Sequence, residues 1–126
     1  MIVKIDFNSD EAIYLQLRNQ IIVGIATEQI KEGDSLPSVR QLAENIGINM
    51  HTVNKAYSVL RQEGFVQVDR RRGAFISLNA DKYEAIRELQ EELQVLIAKS
   101  ICKNISCEEI HQLIDQLYQS FLGCGS

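Results

Sequence analysis

Two clusters in this sequence hold residue types that can read a nucleic acid. The first is Asn49, Met50, His51 and Thr52 with Asn54, Lys55 and Ser58 behind them, interleaved with Val53, Ala56, Tyr57 and Leu60 at helical spacing. Asn and His can bond base edges, and Thr52 with the free N–H groups of a first helical turn suits a phosphate. Lys55 is placed to meet a phosphate as well. The second cluster is Arg70, Arg71, Arg72 and Gly73, three guanidinium groups in a turn followed by a residue that lets the backbone approach a sugar-phosphate edge. Such a turn could lie along or in a minor groove. Arg40, pointing off a buried stripe upstream, could hold a phosphate or reach a guanine. Lys55 and Arg61 alone would also suit a solvated helix face. Three consecutive arginines in a hairpin turn fit that reading less readily.

Other chemistries find little support. There is no nucleophile–base spacing, no Gly-rich phosphate loop and no HExxH, so no catalytic residue is expected. Glu91-Glu92 and Glu108-Glu109 read as solvated helix faces and first-turn dipole partners. Cys102, Cys107 and Cys124 make an odd count with no CxxC, which argues against both a disulfide framework and structural zinc. His51 is no metal-ligand candidate, because its only fellow, His111, lies in another segment. The expectation is no metal and no cofactor.

Net charge is −4 over 126 residues, which at first looks wrong for a nucleic-acid binder. Its distribution resolves the conflict. Residues 1–78 carry nine Lys/Arg and nine Asp/Glu, whereas residues 79–126 carry four and eight, so the acidity sits in the C-terminal third. No apolar run approaches the roughly 18 residues of a membrane helix. An acidic residue at Asp6 and the lack of a small-residue cleavage site argue against a secretory signal, so a cytoplasmic location follows by default.

The elements that must position these clusters are legible from periodicity and caps. Ile2 to Phe7 alternates as a short strand or extended arm, and Asn8 with Glu11 suggests a capping pair for a helix from about Asp10 to Lys31. Gly33 would stop that helix. Gly24 in its interior suggests a close helix–helix approach. Ser38, with Gln41 three residues on, starts a second helix whose stripe is Val39, Leu42, Ala43 and Ile46, and Gly47 ends it. Asn49 caps a third helix running to about Glu63, with Gly64 beyond. The short turn Gly47-Ile48-Asn49 is what a helix-turn-helix needs. Phe65, Val66 and Val68, then Ala74, Phe75, Ile76 and Leu78, predict two strands around the arginine turn. Asp81 caps a fourth helix over about 82–103, and Ser106 with Glu109 caps a fifth. The fourth carries Ile86, Leu89, Leu93, Leu96, Ile97 and Ile101 along one side; the fifth carries Ile110, Leu113, Ile114, Leu117, Phe121 and Leu122. Two such helices cannot bury both faces within themselves. They need the first helix, the winged domain, or another subunit.

At this point the residues resemble the GntR family of bacterial transcription regulators. Leu36-Pro37-Ser38-Val39-Arg40-Gln41-Leu42-Ala43 is similar to the family's LPSxRxLA, and Gly47 to Tyr57 resembles its helix-three motif. Glu63-Gly64-Phe65-Val66 and Arg72-Gly73-Ala74-Phe75-Ile76 resemble the wing, and Ile13-Tyr14-Leu15-Gln16 the opening of helix one. The resemblance implies DNA contacts from Arg40, Asn49, Met50, His51, Thr52, Asn54 and the wing at Gly73. Met50 stands where arginine is frequent, Arg71 where the wing often has its first glycine, and Ala74 where it often has threonine. The short tail is similar to that of the YtrA-type subfamily, which implies a dimerisation element and, for that group, frequent control of ABC-transporter genes.

The combined expectation is a mainly α fold with a small β-wing. Residues 1–78 would form a winged helix-turn-helix and residues 79–126 a two-helix dimerisation element, with Ile86, Leu89, Leu93, Leu96, Ile110, Leu113, Leu117 and Phe121 at the dimer interface. The expected partners are a double-stranded DNA operator and a second copy, with no membrane. Two alternatives stay open: a winged-helix protein-interaction module without a DNA role, and a sensor taking a small-molecule effector.

Overall fold

The computed structural model describes residues 3–78 and 81–122. The order is α1 (Ile13–Ala26), α2 (Val39–Ile46), α3 (Met50–Gln62), β1 (Val66–Asp69), β2 (Gly73–Ile76), α4 (Lys82–Cys102) and α5 (Cys107–Leu122). The fold is mainly helical with a two-stranded antiparallel wing, as the periodicity predicts. The chain divides into two compact units, Met1–Asn79 and Ala80–Ser126. Ile2 and Cys124, both invoked above, lie outside the described residues.

In the first unit, α1, α2 and α3 enclose a core of Leu17, Ile21, Leu42, Ala43, Val53, Ala56, Tyr57 and Leu60, closed by Val66 and Ile76 from the wing. The α2 and α3 starts follow the capping logic of the sequence. Ser38 Oγ accepts from Gln41 N–H at 3.1 Å, and Asn49 Oδ1 accepts from His51 N–H at 2.7 Å. Gly47 ends α2 at φ 73°, a left-handed conformation in which a Cβ would be strained. The wing pairs Val66 with Ile76 and Asp69 with Gly73.

Helix α1 departs from expectation at both ends. It starts at Ile13 behind Ala12, with no side-chain cap. Asn8 instead donates its N–H to the Asp6 carboxylate at 2.9 Å, and Ser9 Oγ accepts from Glu11 N–H. These local bonds give the polar run its own turns and compete with helix. The helix ends at Ala26 rather than near Lys31. Glu28 adopts φ 62°, and the chain folds back so that Gln29 and Ile30 both donate N–H groups to Gly24 O. Gly24 therefore makes room for Ile30, not for another helix: a Cβ there would sit 2.8 Å from Ile30 Cδ1.

Gly33 serves the wing. Its N–H donates to Ile76 O at 2.8 Å, Ile76 N–H donates to Asp34 O and Leu36 N–H donates to Ala74 O, so residues 33–36 run along β2 like a third strand. Among the described residues of the N-terminal arm, 3–6 form no strand. Val3 and Ile5 pack against the core, and buried Gln16 holds the arm by accepting from Asp6 N–H and donating to the Asp6 and Glu11 carbonyls. One turn later Gln20 accepts from Lys4 N–H and donates to Lys4 O.

In the second unit, Asp81 accepts from Glu84 N–H at the start of α4. Ser106 and Glu109 form the reciprocal capping box at the start of α5, with both bonds at 3.1 Å. The N–H of Ser106 holds the Glu109 carboxyl below its usual range. No described residue of α4 or α5 is buried.

Candidate nucleic-acid interface

The helix-turn-helix places the first cluster on one exposed surface. Val53, Ala56, Tyr57 and Leu60 turn one side of α3 into the core, which leaves Asn49, Met50, His51, Asn54, Lys55 and Ser58 exposed and Thr52 half-buried. The Asn49 cap fixes the first turn, with its side chain engaged by His51 N–H. Tyr57 closes the joint between α2 and α3 by donating its hydroxyl to Pro37 O at 2.8 Å, and burial pushes its phenol well above the ordinary range. Arg40, in the first turn of α2, is exposed, and none of the described hydrogen bonds or ion pairs engages its guanidinium.

Lys55 is steered by α1, a contact that no spacing in the sequence reveals. Its ammonium lies 4.1 Å from the centre of the Tyr14 ring. The aromatic face holds the cation against the body of the domain while leaving it exposed.

The three wing arginines separate into two kinds. Arg72 is held: it pairs with Asp69 at 3.2 Å and stacks over the Phe75 ring at 3.7 Å. The side chains of Arg70 and Arg71 are exposed and enter no described ion pair. Asp69 also accepts the backbone N–H groups of Arg71 and Arg72 at 2.9 and 2.6 Å, and Gly73 completes the turn at φ 65°. The sequence thus offers three equivalent cations, and the structure leaves two free at the tip with one bracing its base. Asp69, unremarked in the sequence, organises the tip.

The Asp69 carboxyl is held below its ordinary range, first by the Arg72 N–H and then by the Arg72 side chain and Arg71 N–H. A carboxylate with a depressed folded-state pKa stabilises the turn above its unfolded value of about 3.9 and loses that contribution as pH falls through the folded value. The Arg71 and Arg72 amide shifts in NMR spectra should therefore titrate together with a midpoint below about 3.9. A midpoint at or above that value would remove the organising role of Asp69.

A groove of about 240 Å³ separates α3 from the wing, lined by Asn54, Ser58 and Arg61 on the helix, Val68 and Ala74 on the wing, and Pro37 to Val39 at the start of α2. Arg61 and Val68 thus join the surface that the sequence motifs outline. Among the described residues, no group of three or more His, Cys, Asp or Glu could hold a metal.

Comparison with known proteins agrees with this geometry. The family described as "Bacterial regulatory proteins, gntR family" matches residues 10–76. The HTH-type transcriptional repressor YtrA of Bacillus subtilis is 35% identical over 118 residues, covering 91% of each chain. Among solved structures, a transcriptional antiterminator from Listeria monocytogenes superposes with a TM-score of 0.87 at 28% identity, over 100% of this chain and 96% of the other. YtrA from Sulfolobus acidocaldarius, a GntR-family transcription factor, gives a TM-score of 0.60 at 39% identity, over 94% and 97%. These relatives are transcription factors and regulators rather than enzymes, and the match spans the helices and wing just described. The chain belongs to the GntR family of bacterial regulatory proteins.

Proposed function

We propose that this protein is a homodimeric, sequence-specific repressor that binds a pseudo-palindromic DNA operator. Residues 1–78 would read the DNA and residues 79–126 would pair the chains. The observation that carries the DNA reading is the set of exposed polar groups on one unit: the start of α3, Arg40 in the first turn of α2, and a wing tip whose Arg70 and Arg71 enter no described ion pair. In this reading Asn49, Met50, His51 and Asn54 meet base edges, Thr52 and Lys55 meet phosphates, and Arg70, Arg71 and Gly73 follow the adjacent minor groove. Arg72 braces the wing. A pure protein-interaction module would have no use for that arrangement of cations.

The second copy is called for by α4 and α5. Ile86, Leu89, Leu93, Leu96, Leu113, Leu117 and Phe121 are all exposed in the single chain, and Ile110 is only half-buried. An apolar surface of this extent seeks a partner. A two-fold dimer presents two readers to two half-sites. The groove along α4, lined by Ile86, Leu89, Gln90, Leu93, Gln94 and Ile97, is open and almost wholly apolar. That is the chemistry of a helix partner rather than of a polar small molecule. The relationship to a protein named as a repressor supports repression, and the YtrA-type resemblance supports a transporter operon as the target. Among the described residues, no helix is long and apolar enough to cross a membrane.

The test is enrichment of double-stranded DNA from a random pool by the full-length protein, followed by anisotropy titration. Enriched sequences should carry an inverted repeat and bind far more tightly than unselected DNA at moderate salt. Equal affinity for selected and unselected DNA would sink the proposal.

A further inference from the structure

Outside the DNA-facing surface, one pair of side chains combines two metal-binding donors at a chelating distance. Cys107 opens α5, and His111 stands one turn further along the same helix. Residues four apart lie one above the other on a helix. Here the Cys107 Sγ and His111 Nε2 are 3.8 Å apart, with both residues exposed. A tetrahedral zinc ion takes sulfur at about 2.3 Å and imidazole nitrogen at about 2.0–2.1 Å, which sets the two donors roughly 3.6 Å apart. The observed spacing is within a few tenths of an ångström of that bite. Neither donor needs to change its helical position to meet a common ion.

The backbone beneath the pair is fixed. The Ser106–Glu109 capping box closes the first turn of α5 around Cys107. One carboxylate oxygen of Glu109 is engaged in that cap. The donor set is also selective in kind. Thiolate with imidazole favours zinc and its neighbours in the first transition row over magnesium or calcium, which take oxygen ligands.

We propose that Cys107 and His111 form a two-point site for a zinc-class divalent cation, one ion per chain, with water filling the remaining positions. On binding, the thiol loses its proton to solvent and the neutral imidazole offers its Nε2 lone pair, so each event releases one proton and adds a net single positive charge. The site lies in the apolar arc of α5, because Ile114 and Tyr118 continue the Cys107–His111 stripe at seven and eleven residues' distance from Cys107. Both are exposed. An ion bound there would add charge to the face that the proposed dimer uses, which makes the site suited to couple metal availability to chain pairing. The site itself does not depend on the DNA-binding proposal.

Cobalt(II) is the probe, titrated into the reduced full-length protein. The expected result is thiolate-to-cobalt charge-transfer absorption that saturates at one ion per chain and is bleached by zinc but not by magnesium. Cys107→Ser should abolish the band, while Cys102→Ser and Cys124→Ser should leave it unchanged. His111→Ala should weaken cobalt binding by at least about tenfold, since even outer-shell partners of a metal contribute about 10–100-fold to affinity. The altered side chains at 102, 107 and 111 are exposed, so circular dichroism of these variants should match the parent. A missing band, a band that survives Cys107→Ser, or unchanged affinity in His111→Ala would overturn the assignment. In each of those cases the 3.8 Å contact would be only a thiol–imidazole hydrogen bond.

Discussion

Replacing Leu93 and Leu117 together with glutamate is expected to leave the protein monomeric with its winged unit still folded. Both leucines are exposed in the single chain, at 37% and 47%, so the substitution removes nothing from a core within the protomer. In the proposed dimer each leucine would be covered. Each would then lose burial worth on the order of 1 kcal/mol or more, and each new carboxylate would carry a desolvation penalty of several kcal/mol. A two-fold interface counts every change twice. The dimer dissociation constant should therefore rise by at least about a thousandfold, roughly 4 kcal/mol. Sedimentation velocity at micromolar concentration should show the parent as a dimer and the double variant as a monomer. Thermal unfolding should still report an intact winged unit, whose core of Leu17, Ile21, Val53 and Leu60 is untouched. The monomer should also lose about 10²–10⁴ in operator affinity, because its two readers no longer act as one. A double variant that stays dimeric would place the interface elsewhere.

Arg40→Ala should weaken binding to the selected operator by about 1–3 kcal/mol, or roughly five- to 150-fold. Its guanidinium is exposed in the first turn of α2 and enters no described ion pair, so in the proposed complex it would meet DNA without first breaking an internal bond. The wing offers an internal contrast. Arg70→Ala and Arg71→Ala should each weaken binding across all sequences and reduce the slope of log affinity against log salt by about 0.9. Arg72→Ala should leave that slope nearly unchanged, because Arg72 is already committed to Asp69 and Phe75. Asn49 or His51 substitutions should instead alter which sequence is preferred. Anisotropy titrations at several salt concentrations separate these outcomes, and equal slopes for all three wing variants would contradict the division of labour at the tip.

What the sequence reveals here follows the range of the forces involved. Ser38, Gly47, Asn49 and the Ser106–Glu109 box act within four residues of themselves, so their patterns predict the helix ends that form. The start of α1 is also local, yet Asn8 and Glu11 are misleading. The Asp6 carboxylate and the Ser9 hydroxyl capture the amides that a helix starting near Asp10 would need, and no propensity rule ranks those competing bonds. Features that depend on distant residues stay hidden. Gly24 packs against Ile30 only because the chain reverses at Glu28. Residues 33–36 find β2 across some forty positions, and Lys55 finds Tyr14 across a similar gap. The candidate DNA residues follow the same rule: α3 exposes them as its periodicity predicts, while the split among the three arginines depends on Phe75 and Asp69. Cys107 and His111 go unremarked as a pair in the sequence, because two donors four residues apart carry no ligand signal by spacing alone; only the folded helix shows their donor atoms 3.8 Å apart.

The hold of α1 on the N-terminal arm has a practical consequence. Gln16 and Gln20 grip Asp6 and Lys4 through amide-to-amide bonds, and Val3 and Ile5 add apolar contact. None of these contacts involves a titrating group or a net charge, so neither ionic strength nor pH near neutrality bears on them directly. The opposite is true of the proposed DNA-facing contacts, which rest on cations meeting phosphates. Salt should therefore act very differently on these two parts of the same unit: a buffer concentrated enough to strip the protein from DNA would leave the grip of α1 on the arm in place.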